Sequence, residues 1–144
     1  MPSVTYTFNP NTTAESSQVN QNFSDLSAAI RPTFVFTLTG TLATGVNLTP
    51  ALVVPLSLTI VKAYIYAKTA PTGQAAIIDI NVNGTSIWSA TQANRLQLAD
   101  GSQTGSQTSF DTTALADGDV ITIDCDVVGS TIAGSDVTIQ LKCS

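Results

Sequence analysis

At 144 residues the chain has the length of one domain, enough to bury roughly two thirds of the surface its unfolded form exposes with no metal or disulfide. Charged residues are only 10 % of the chain and the net charge is −5. Its five cations, Arg31, Lys62, Lys68, Arg95 and Lys142, are too scattered in sequence for the basic stripe that nucleic acid requires, and an anionic membrane is disfavoured on the same ground.

A hydrophobic content of 43 % with clear periodicity excludes a disordered chain, and Ser and Thr, 36 of 144 residues, supply a neutral, hydroxyl-rich surface. No run approaches the roughly 18 apolar residues of a membrane span. The opening MPSVTYTFNP has neither a basic nor an apolar leader region, so the expectation is a product made and matured in a cytoplasm.

The first element is a helix. Thr12-Thr13-Ala14-Glu15 fits a capping box, and Val19, Phe23, Leu26 and Ile30 follow at spacings of four, three and four, forming one apolar stripe. Pro32 ends it. A helix over residues 14 to 30 with Ser, Gln, Asn and Asp on its other faces is marginal alone in water. Its stripe either folds back on the chain's own core or meets a partner, including copies of itself in a short bundle. Residues 1 to 32 are therefore read as an attachment arm and 33 to 144 as a separate β domain.

Beyond Pro32 the period changes from helical to two. Phe34, Phe36 and Leu38 share one face of a strand starting at Thr33. Leu56, Leu58 and Ile60 hold one parity and Val61, Ala63, Ile65 and Ala67 the other, which predicts a bulge near Ile60 or a strand that changes sheets. In "IIDINVNGTSIW" the pair Asn83-Gly84 predicts a tight type I′ hairpin with Ile87 opposite Ile80, and with Asp79 and Trp88 together on the other face. Leu96 and Leu98 mark another strand, and Gly101 to Ser109 reads as a polar, flexible loop. Ile121, Ile123, Cys125 and Val127 alternate with polar residues, as do Val137, Ile139, Leu141 and Cys143 after a turn at 129 to 136. Short strands with frequent turns and no second helix predict an all-β fold: a jelly-roll-like antiparallel β-sandwich with one N-terminal α-helix.

The search for chemistry is nearly empty. No histidine is present, which removes the commonest general base and the Ser-His and Cys-His pairs. Two cysteines do not close a zinc site, and GSQTGSQTS lacks the lysine of a phosphate loop. Asp117, Asp119, Asp124 and Asp126 read either as a calcium site or as a turn plus the wet face of a strand, and their spacing lacks EF-hand order. The expectation is no cofactor, no metal and no enzymatic activity.

Tyr64, Tyr66 and Trp88 are candidates for a sugar-stacking platform, or else pack in the core or between subunits; Tyr64 and Tyr66 share a face with Lys62. The sequons at Asn11, Asn22, Asn47 and Asn83 follow from the abundance of Ser and Thr. Cys125 and Cys143 fall on inward parities; treating their strands as one hairpin offsets them too far to bond, while a bridge stays open if register places them opposite.

Four stretches carry a resemblance: TAPTG (Thr69 to Gly73), DINVNGTSIW (Asp79 to Trp88), ADGDVITID (Ala116 to Asp124) and VGSTIAGSDVTIQL (Val128 to Leu141). They resemble a β module recurring in structural proteins of tailed bacteriophages, in fibre and particle-surface proteins. Val19-Asn20-Gln21-Asn22-Phe23 is similar to the V-N-x-N-F segment at the start of such proteins. The resemblance implies a non-enzymatic virion component, assembled in a bacterial cytoplasm. It implies a jelly-roll-like knob that forms homotrimers and binds other virion proteins, capsid or tail, through its N-terminal segment. The chain has no shaft or repeat, which favours a short head fibre or capsid decoration protein over a receptor-reaching tail fibre.

Overall fold

The computed structural model describes residues 4–10, 13–29 and 31–144. The chain divides into two compact units, residues 1–32 with Ser144, and Thr33–Cys143.

In the first unit the helix α1 spans Ser16–Ala29. Thr12, on which the predicted capping box depends, lies outside the described residues. Among those described, one half of such a box is seen at Glu15. The Gln18 side chain accepts from the Glu15 N–H at 3.4 Å, and the Glu15 carbonyl accepts the first helical bond from Val19 N–H at 3.1 Å.

The second unit is a β-sandwich of ten strands. Their ranges are β1 Thr33–Thr41, β2 Leu52–Val53, β3 Leu58–Thr69, β4 Ala76–Val82, β5 Thr85–Ser86, β6 Leu96–Leu98, β7 Thr104–Gln107, β8 Ala114–Leu115, β9 Val120–Val127 and β10 Ser135–Cys143. One sheet runs β1-β10-β3-β7, with β8 also on β3; the other runs β2-β9-β4-β5, with β6 also on β4. Every pairing is antiparallel. The chain alternates between the sheets from β1 to β4 and again from β8 to β10, keeps β4, β5 and β6 in one sheet and β7 and β8 in the other, and slots late strands between early ones. This is the jelly-roll wrap, as the period-two pattern and turn spacing predict.

The two inner faces supply the core. Ile78, Ile80, Ile121, Ile123, Ile139 and Leu141 are fully buried, and among the described residues the buried core begins at Phe36. The parity change in β3 is a bulge at Val61. Lys142 pairs with Lys62 but Cys143 with Ile60, so the strand stays in one sheet while Ile60 and Ala63 both turn inward. Asn83 and Gly84 have φ of 52° and 80° and join β4 to β5, the left-handed pair that a type I′ turn requires.

Three expectations fail. Residues 101–109 are not simply a loop, because β7 lies within them. It is held by its ladder to β3 and by Gly105, where a Cβ would come within 2.0 Å of the Gln97 carbonyl oxygen. The strands β9 and β10 are not a hairpin, because they lie in opposite sheets. Cys125 and Cys143 are consequently separate core residues, both buried and unbonded. Finally, Trp88 does not flank Asp79 on an outer face. The second hairpin strand ends at Ser86, the chain turns, and Ile87 and Trp88 both enter the core.

Candidate functional site

Two surfaces remain open, one in each unit. In the first unit, residues 4–10 run without regular structure and are fastened to one flank of α1 by side chains. The Thr5 N–H and hydroxyl both donate to Asp25 Oδ2 at 2.6 Å. Asn22 reads the main chain of Tyr6 in both directions, accepting its N–H and donating to its carbonyl, each at 2.9 Å. The two bonds from Thr5, with one from Gln21, hold the Asp25 carboxyl below its ordinary value.

Asn22 and Asp25 lie beside the apolar stripe on the helical wheel rather than on it. The stripe itself stays uncovered: Val19 is half-buried, while Phe23 is 65 % and Leu26 47 % exposed. Ile30, the fourth member, lies outside the described residues. Val4, Tyr6 and Phe8, alternating along the fastened segment, add three more exposed apolar side chains.

In the second unit the open surface is the outer face of the β1-β10-β3-β7 sheet. Register sets its residues in rows. Val35, Gln140, Tyr64 and Ser106 are neighbours across four strands, as are Thr37, Thr138, Tyr66 and Thr104, and next along come Thr33, Lys142 and Lys62. A shallow groove of about 430 Å³ crosses this face, lined by Tyr64, Tyr66, Thr104, Gly105, Thr138 and Gln140. Tyr66 is 50 % exposed, and the Lys62 ammonium lies 4.6 Å above the ring of Tyr64.

Trp88, the third aromatic candidate, is fully buried; its indole N–H donates to the Ser109 carbonyl at 2.7 Å and its ring packs on Phe110 at 5.6 Å. It props the fold and has no ligand-facing surface. Three of the four clustered aspartates are likewise committed one by one. Asp119 closes its turn through Ala116 N–H and Asn83, Asp124 accepts from Asn47 N–H and Asn81, and Asp126 pairs with Arg95. Among the described residues no group of carboxylates or cysteines is placed to hold a metal ion.

The sequence pattern exposed the tyrosine pair and its shared face with Lys62. It missed Thr104, Thr138, Gln140 and Lys142, whose positions depend on strand register and on β7. The arrangement can stack, hydrogen-bond and neutralise charge; among the described residues it brings together no nucleophile and base. What the fold defines is a β-sandwich of jelly-roll strand order. Compared with known proteins, the chain matches no family model, no curated protein and no solved structure.

Proposed function

We propose that this chain is a non-enzymatic structural protein of a bacteriophage particle, a short head fibre or capsid decoration protein anchored by its N-terminal arm and displayed as a homotrimer. The observation that carries this reading is the uncovered stripe of α1. Phe23 and Leu26 stand 65 % and 47 % exposed on one side of α1. Covering them contributes roughly 1.5–3 kcal/mol for each large side chain before ordering costs, and repeated copies gain further by avidity. The jelly roll supports the same reading, since that wrap recurs in viral capsid and lectin domains.

Deleting residues 1–31 tests it. The expected product is a folded sandwich, with its cooperative melt intact, that no longer associates with particles. Unchanged incorporation into particles refutes the arm's role. A solution mass of one chain in the full-length protein refutes the trimer.

A second reading, a tail fibre or receptor- and carbohydrate-binding module, is favoured by one specific observation, the groove beside Tyr64 and Tyr66. Open aromatic rings flanked by hydroxyl and amide side chains suit a sugar, whose ring offers an apolar face and a polar rim.

A further inference from the structure

Cations scattered along the sequence converge in the fold. Lys62 and Lys68 on β3 and Lys142 on β10 all belong to the outer face of one sheet, so three of the five cations of a chain with net charge −5 share it. Lys62 and Lys142 are direct cross-strand partners. Like charges placed opposite one another destabilise a sheet. Among the described residues the one ion pair is Arg95–Asp126, so no carboxylate relieves the two lysines. An anion seated between them does. The Lys62 ammonium is drawn over Tyr64, toward the groove rather than away from it.

The geometry points to a binding site for an acidic oligosaccharide, one sugar stacking on Tyr66 and another, further along the same chain, setting its carboxylate between Lys62 and Lys142. This deepens the second reading above and rests on the groove being a saccharide site. Tyr66 stands four positions, about 13 Å, along the strand from Lys62, which sets the ligand at three or more sugar units. Thr104, Thr138 and Gln140 line the space between and meet the hydroxyls. A single-stranded nucleic acid also combines stacking with charge, but it follows a continuous basic track. Here neutral hydroxyl and amide groups separate the lysine pair from Lys68.

The test is titration calorimetry of the full-length protein against four probes: a galacturonate hexamer, neutral cellohexaose, dextran sulfate and an oligo-dT. The expected result is binding of the galacturonate that weakens as salt rises. Lys142→Gln and Tyr66→Ala should each reduce its affinity about tenfold or more, while Arg95→Gln, equal in charge change but outside this sheet, leaves it within about twofold. Circular dichroism checks that each variant is folded, and Lys142→Gln, an exposed-face change of similar size, decides the matter if Tyr66→Ala does not fold.

Cellohexaose binding as tightly as galacturonate, with no effect of Lys142→Gln, overturns the acidic ligand while leaving a saccharide site. Binding of neither sugar overturns both. Equal losses from Arg95→Gln and Lys142→Gln, or preference for dextran sulfate or oligo-dT, reduce the site to general charge attraction. A solution mass altered by Tyr66→Ala or Lys142→Gln assigns the face to a subunit contact instead.

Discussion

Replacing Gly105 with alanine tests how the two sheets are held together at the groove. Gly105 sits in β7 opposite Ile65 of β3, and its missing side chain is the space through which β7 approaches β6 of the other sheet. A Cβ there would lie 2.0 Å from the Gln97 carbonyl oxygen and 2.9 Å from Ile65 Cγ2. The first distance is more than about 1 Å inside ordinary contact. The neighbour is backbone on one side and a packed core side chain on the other, so neither gives way freely. Overpacking of this kind costs about 1–3 kcal/mol. Moving β7 by about 1 Å also weakens its four-residue ladder to β3, where each hydrogen bond contributes about 1 kcal/mol.

The expected loss is therefore about 2–4 kcal/mol. For a unit the size of Thr33–Cys143, that lowers the melting temperature by roughly 8–16 °C. Trp88, the one tryptophan and fully buried, reports the transition by fluorescence. The neighbouring Ser106→Ala, on the exposed face, should move the midpoint by less than about 2 °C. A Gly105→Ala protein melting within about 2 °C of the parent would refute the argument that this glycine is required for space.

Two further predictions concern buried titratable groups. Burial raises the Asp79 carboxyl above its ordinary 3.8, against the lowering effect of the Ser86 hydroxyl that donates to it. The folded protein then holds this proton more tightly than the unfolded chain, so Asp79 subtracts stability as pH rises from about 3.8 through its folded value. Asp79→Asn should be at least as stable as the parent near pH 7, with its advantage shrinking toward pH 3 in urea titrations; a variant that loses stability at pH 7 contradicts this. Burial also pushes the thiols of Cys125 and Cys143 up to about 11. The native protein at pH 8 should resist a thiol reagent and release two reactive groups on unfolding; fast labelling of the native form would contradict their enclosure.

The sheets were legible where side-chain parity carries the information. Phe36 and Leu38, Ile78 and Ile80, Ile121 and Ile123, and Ile139 and Leu141 all alternate with polar neighbours and all point inward. The bulge at Val61 was visible as a change of phase, and the hairpin as Asn-Gly. Parity does not say which sheet a strand joins, which is why β9 and β10 read as a hairpin although the segment between them crosses the sandwich. Nor does it find β7, whose sequence TGSQ has no apolar alternation and forms a strand only because β3 offers a ladder and Gly105 permits close approach. The groove depended on both. Tyr64 and Tyr66 announced themselves by spacing, but Lys142 reached Lys62 through a register that no local pattern encodes.

The strand order has a consequence for synthesis. β1 has a single ladder partner, β10, which leaves the ribosome some ninety residues later. At 5–20 residues per second, β1 waits roughly 5–20 s with nothing to pair with. Its nine residues, TFVFTLTGT, carry no charge to discourage strangers. On crowded polysomes the nascent chain is thus most vulnerable to its own siblings during that interval, and its yield should depend on holdase supply and on translation speed more than on the stability of the finished sandwich.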